Sequence, residues 1–230
     1  MSKVADPNWS RFYDFDEIFE YYGLFDETGK SSRKEVEHNG RRGRPHSDNG
    51  FRLRSRSADR LSFADKELAK SIEDVPCPLH FGDWGCYFVQ VRLGNERWDY
   101  IGKAKDSGHQ KSYGIWYRLY HHMIKIAGTT GANSGKSTVN FDAMRKRAAM
   151  IQRLEVNTPE FFGRYVKVAL LKIDSKDNDM SRNLSALSEQ NAHRLYKEIR
   201  GHLPKLCDKD ESKNSQSTYG LAGLADLIQS

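Results

Sequence analysis

The chain is short of cysteine, of long apolar runs and of hydrophobic residues in general, and each shortage closes off a class of protein. Three cysteines in 230 residues, Cys77, Cys86 and Cys207, are odd in number and far apart. Alone they build neither a disulfide framework nor a four-ligand zinc motif, and they read as reduced intracellular thiols. No window approaches the roughly 18 apolar residues that a membrane span needs, and the opening MSKVADPNWSRFYDFDE has no apolar stretch of the secretory-signal kind. A soluble, cytoplasmic protein with no membrane partner is expected. Hydrophobic residues reach only 37% against 30% charged, with a mean hydropathy of -0.78. That balance suits a compact centre with solvated extensions better than a uniformly dense globule. A nucleotide cofactor is not expected either. The stretch GTTGANSGKST superficially suggests a phosphate-binding loop, but Thr130 stands where that motif needs its first glycine, and a helix is expected before it rather than a strand.

What the chain has is positive charge and one informative stretch. A net charge of +6 and a pI of about 9.1 favour a polyanionic partner. The stretch runs from Gly85 to Met123. Its first half holds two runs rich in aromatic and β-branched residues, CYFVQVR and ERWDYIG, around Gly94-Asn95, a two-residue hairpin signal. With that loop, Val91 faces Trp98, Val89 faces Tyr100 and Tyr87 faces Gly102, which puts Tyr87 and Tyr100 on one sheet face as diagonal neighbours. The second half, GIWYRLYHHMIKIAG, is apolar at Ile115, Leu119, Met123 and Ile126 or Ala127, and this spacing predicts an amphipathic helix stopped by Gly128. Arg118 and His122 are four apart and stack on one side of it, at the edge of the apolar stripe.

These residues resemble the GIY-YIG endonuclease superfamily: a Gly-x-Tyr strand at Gly85-Cys86-Tyr87, a Tyr-Ile-Gly strand at Tyr100-Ile101-Gly102, and an Arg-x-x-x-His helix from Arg118 to His122. Cys86 replaces the usual isoleucine, and the stretch from Gly102 to Arg118 is longer than in many members. The resemblance covers about Gly85 to Gly201. It implies an α+β fold with a small three-stranded antiparallel sheet flanked by helices, and a glutamate on the helix after the third strand that binds a divalent metal. Glu189 is the candidate for that ligand and Glu198 its competitor; the Leu-Ile pair usual after the glutamate is here Ala192-His193.

The rest of the chain is read around that centre. Residues 8–25 place Phe12, Phe15, Phe19 and Tyr22 at helical spacing before Gly23, predicting a docking helix. Residues 27–60 lose apolar periodicity and form a basic arm with Arg41, Arg42 and Arg44, where Arg42-Gly43-Arg44-Pro45 resembles the core of an AT-hook. A short helix over 61–73 and a Pro-bounded linker to Pro78 close the extension, giving expected segments of 1–78 for a DNA-binding arm, 79–206 for the nuclease core and 207–230 for a tail. Within the core, Lys136 lies in a loop suited to a DNA backbone. The following helix turns Met144, Ala148 and Ile151 inward and Arg145, Lys146 and Arg147 outward. Residues 164–174 predict a central strand. The last core helix is expected to bury Leu184, Leu187, Leu195 and Ile199.

By resemblance, Tyr87, Tyr100, Arg118, His122 and Glu189 are the catalytic set. Tyr87 acts as base or as part of a relay with His122, Tyr100 positions water or phosphate, Arg118 holds the phosphate, and Glu189 carries Mg²⁺ or Mn²⁺. Lys103, Lys136, Arg145 and Lys146, with the arginines of the arm, are the expected DNA contacts. Nearby cations are expected to lower the tyrosine pKa. The implied activity is site-specific cleavage of double-stranded DNA by a homodimer of the type II restriction kind. A phage or mobile-element nuclease and a non-catalytic DNA-binding protein are the alternatives.

Overall fold

The computed structural model describes residues 5–19, 78–79, 83–104, 114–128, 138–152, 156, 158–175, 177–212 and 216–230. Arg41, Arg42, Arg44, Lys136 and the expected helix over 61–73 lie outside them. The described residues form a mixed α+β structure around one antiparallel sheet. Its strands are β1 (Tyr13–Asp14), β2 (Trp84–Leu93), β3 (Glu96–Lys103) and β4 (Val166–Ile173), in the order β1-β4-β2-β3.

The hairpin has the expected register, with Val91 opposite Trp98, Val89 opposite Tyr100 and Tyr87 opposite Gly102. Side chains alternate along β2, so that Tyr87, Val89 and Val91 enter one core while Phe88 enters the other. The alternation breaks at its start, where Trp84 and Cys86, two apart, go to opposite faces. Gly85 between them has φ 139°, and a Cβ there would run into the carbonyl oxygen of Leu171 on β4. Only glycine serves at that point.

Helices cover both faces. On the Tyr87 face lie α1 (Phe15–Phe19), α2 (Gly114–Ala127), α3 (Thr138–Gln152) and α4 (Pro159–Tyr165), contributing Phe15, Leu119, Met123, Met144 and Phe162 to the larger core. On the Phe88 face lie α5 (Asn178–Arg200) and α6 (Leu224–Gln229). Caps fit their residues. Thr158 accepts from the Phe161 amide ahead of α4, Asp177 accepts from the Asp179 and Met180 amides ahead of α5, and Gly201 ends α5 in the left-handed conformation.

Four expectations are corrected. The sheet has four strands rather than three, because Tyr13 and Asp14 pair with Val168 and Lys167. The docking helix expected over 8–25 is, within its described part, an extended segment and β1 followed by the five-residue α1; backbone pairing along β4 outweighs the aromatic helical spacing. Ile151 is exposed rather than inward, while Met144 and Ala148 are buried as expected.

The fourth correction concerns α5, whose fully buried face is not leucine but Ser181, Ser185, Ser188, Ala192, His193 and Tyr196, with Leu184, Leu187, Leu195 and Ile199 only half-buried. Two of the serines satisfy their hydroxyls within the helix, Ser181 Oγ donating to Asp177 O at 2.9 Å and Ser185 Oγ to Ser181 O at 2.7 Å. Small side chains bonded to their own backbone let α5 lie close over β2, near enough for Cys86 Sγ to donate to Ser185 O at 3.2 Å.

The two outer segments meet beside α5. Trp9 donates from Nε1 to Gly220 O at 2.8 Å and from its amide to Ala222 O at 3.0 Å, and its ring stands edge-on to Phe88. Asp6 accepts from the Gly220 amide at 2.7 Å. Trp9→Ala is therefore expected to lower unfolding stability by about 3 kcal/mol, the range of buried aromatic truncations, as read from urea denaturation.

Candidate functional site

β3 is an edge strand, and around its end the two faces of the sheet open onto one cleft of about 810 Å³. From the Tyr87 face it receives Tyr100 of β3, Arg118, His122 and Lys125 of α2, and Phe141 of α3. From the α5 face it receives Glu189, His193 and Arg182, with Cys207, Asp208, Lys209 and Glu211 from the following loop and Lys103 from the end of β3. Four of the five expected catalytic residues thus line the same cleft.

The fifth, Tyr87, lies one ring deeper and is wholly buried. Its ring stacks on Tyr100 at 6.0 Å between centroids and lies 5.7 Å from His122, which sits 3.9 Å from Tyr100 and stacks on Phe141. The convergence depends on Gly102. A Cβ there would stand 2.6 Å from Tyr100 Cε1 and 2.7 Å from the Tyr87 hydroxyl, closer than real Cβ contacts come. The glycine of the Tyr-Ile-Gly strand is the space into which the two phenols fit.

Burial pushes the phenols of Tyr87 and Tyr100 up from their ordinary value near 10; Arg118 opposes the shift without reversing it. In the metal-free chain, desolvation outweighs the positive charge that Arg118 supplies. The Tyr87 hydroxyl also has no hydrogen-bond partner among the described residues. Packing of the aromatic cluster holds this polar group in place at a cost.

Glu189 reaches the cleft 8% exposed, its Oε2 2.7 Å from Lys103 Nζ. Glu198 is exposed on the helix and pairs with Arg194. Among the described residues no group of three or more His, Cys, Asp or Glu side chains is placed to hold a metal ion. Mg²⁺ does not need one, since it is commonly held by one or two carboxylates with phosphate and water completing the shell. Glu189 would be the protein ligand in that mode only on giving up its Lys103 partner.

The expected DNA contacts divide. Lys103 is in the cleft. Arg145 is turned inward, bonded to Lys125 O and to Asp142 Oδ1, and Lys146 is exposed on α3; neither lines the cleft. The sequence reading missed Lys125, Arg182 and the loop residues Cys207 to Glu211. Lys125 had a signal, since it stands seven residues after Arg118 on the same helix face. The loop had none, because its place depends on the Leu206 amide donating to Asp99 O at 2.9 Å on the edge of β3.

No family model matches the chain, and no curated protein or solved structure matches it either.

Gly102→Ala should force the two tyrosines apart and destabilise the protein by about 1–3 kcal/mol, as overpacking does, read by chemical denaturation. Tyr87→Phe should act in the opposite sense, raising stability by about 1 kcal/mol because it removes a buried hydroxyl that has no partner among the described residues. A raised folded-state phenol pKa means that only the unfolded chain ionises readily near pH 10, so stability is full below that pH and falls as pH rises through it. Tyr87→Phe should make that alkaline fall shallower in denaturation curves taken between about pH 8 and 11.

Proposed function

We propose that the protein is a Mg²⁺-dependent endonuclease of the GIY-YIG kind that hydrolyses phosphodiester bonds in double-stranded DNA. The observation that carries this reading is the meeting of Tyr100, Arg118, His122 and Glu189, from three separate elements, on one cleft at the edge of β3. A packed tyrosine pair or a solvated basic helix would not require that meeting. The positive charge of the chain accords with a polyanionic substrate.

In this reading Arg118 holds the non-bridging oxygens of the phosphate and offsets the charge that builds there. Tyr100 forms the wall against which the attacking water is placed. His122, in ring contact with both tyrosines, takes the proton from the water as its oxygen bonds to phosphorus and the bond to the 3′ oxygen breaks. Tyr87, buried behind the cleft wall, holds that imidazole in place by ring packing at 5.7 Å. Mg²⁺ held by Glu189 would stabilise the leaving 3′ oxygen. Glu189 must exchange its Lys103 partner, leaving the ammonium free to meet the phosphate.

The finer reading is a cytoplasmic type II restriction-like enzyme acting as a homodimer, with the basic arm over 27–60 as part of its DNA contact. One observation favours the alternative of a non-catalytic DNA-binding protein: Glu189 is already neutralised by Lys103.

Long DNA incubated with the protein and Mg²⁺ should give discrete fragments on a gel. A smear would point to a nonspecific nuclease and intact DNA to a binder. Tyr87→Phe, Arg118→Ala and Glu189→Gln should each lower cleavage at least about a hundredfold while binding in Ca²⁺ persists, and Glu198→Gln should be silent. Undiminished cleavage by the first two variants would sink the assignment.

A further inference from the structure

Lys125 is an unusual place for a cation. It lies in the last turn of α2, where a positive charge offsets the helix dipole, but an exposed side chain would do that as well. Instead it is half-buried on the cleft wall, with Nζ 5.8 Å from the centre of the Phe141 ring. Burial lowers its pKa, and the like charge of Arg118 lowers it further. The backbone at this turn is also pinned, since Arg145 reaches across from α3 to bond the Lys125 carbonyl. Two positive side chains are thus held on one face of a fixed helix, along one cleft.

From this geometry we infer that Lys125 is a second phosphate-holding residue, and that α2 lies along one DNA strand with Arg118 at the reacting phosphate and Lys125 at another. Seven residues of helix rise about 10 Å. One strand of a duplex presents a phosphate about every 3.4 Å along its axis, so the two cations address phosphates about three nucleotides apart. This deepens the nuclease reading and rests on it for the role of Arg118. It also replaces the outer face of α3 with the cleft side of α2 as the surface that follows the backbone. Lys125 is a positioning residue: it fixes where the strand lies and takes no part in the chemistry.

The test is the salt dependence of binding to a short DNA duplex in Ca²⁺, measured by fluorescence anisotropy. Lys125→Met keeps the apolar stem against Phe141 and removes the charge. It should weaken binding about tenfold at low salt and reduce the slope of log affinity against log salt by about 0.9, the share of one phosphate. Lys125→Arg should restore both. If the nuclease reading holds, Lys125→Met should raise KM with kcat changed less than about threefold, whereas Arg118→Ala loses kcat. An unchanged slope in Lys125→Met, with wild-type binding intact, would overturn the inference and leave the nuclease reading standing. A reduced slope in a protein that never cuts DNA would sustain the phosphate contact and sink the nuclease reading. Failure of the wild-type protein to bind DNA at all would sink both.

Discussion

The arrangement rests on the pairing of β2 with β3 through a two-residue turn. Because the turn has an even number of residues, Tyr87 and Tyr100 fall on the same face, and Gly102 opposite Tyr87 leaves room for both rings. A shift of one residue would send Tyr100 to the α5 face and bring Ile101 to the aromatic cluster. α2 is tied to the same frame, since the Ile115 amide bonds Asp83 O at 2.8 Å just ahead of β2, and this sets where Arg118 and His122 come to lie. The place of β3 at the end of the sheet then lets a helix from the opposite face contribute Glu189.

Much of this was legible because its causes are local. Gly-Asn between two alternating runs specifies a register, and Ile115, Leu119, Met123 and Ile126 specify the buried side of a helix without reference to the rest of the chain. β4 was legible for the same reason, as an apolar run too short for a helix. The pieces that escaped have causes elsewhere. Tyr13 and Asp14 are a strand only because β4 offers an edge to pair with. The buried side of α5 is polar by residue type and apolar by environment, because two of its serine hydroxyls turn back onto the helix. Periodicity scored on hydrophobicity therefore selects the leucines beside it. Glu189 was placed by resemblance rather than by any local rule, and its partner Lys103 could not be foreseen from a spacing of 86 positions.

The aromatic cluster shows stability and polarity pulling against each other. Tyr87 supplies a large apolar surface to the core, yet its hydroxyl has no partner among the described residues and its ionised form is strongly disfavoured. Phenylalanine would pack the same space without that cost. Keeping the hydroxyl is understandable if its use lies in another state of the cleft, with substrate in place, and an unsatisfied buried group next to a charged cleft is a common form of such strain.

The junction of Trp9 with Gly220 and Ala222 joins residues 211 and 213 apart in sequence. On a ribosome the segment around Trp9 is made long before these partners; it can pair with Leu170 and Leu171 of β4 once they appear, but the bonds to Gly220 and Ala222 close only about fifty residues later, at roughly 5–20 residues per second. The cleft is completed late for the same reason: its lining runs from Tyr100 on β3 to Glu211, so it stays open until β4, α5 and the loop from Cys207 to Glu211 have followed. A nascent chain therefore holds an incomplete cleft for most of its synthesis. A finished cleft exists only when the late segments have been made.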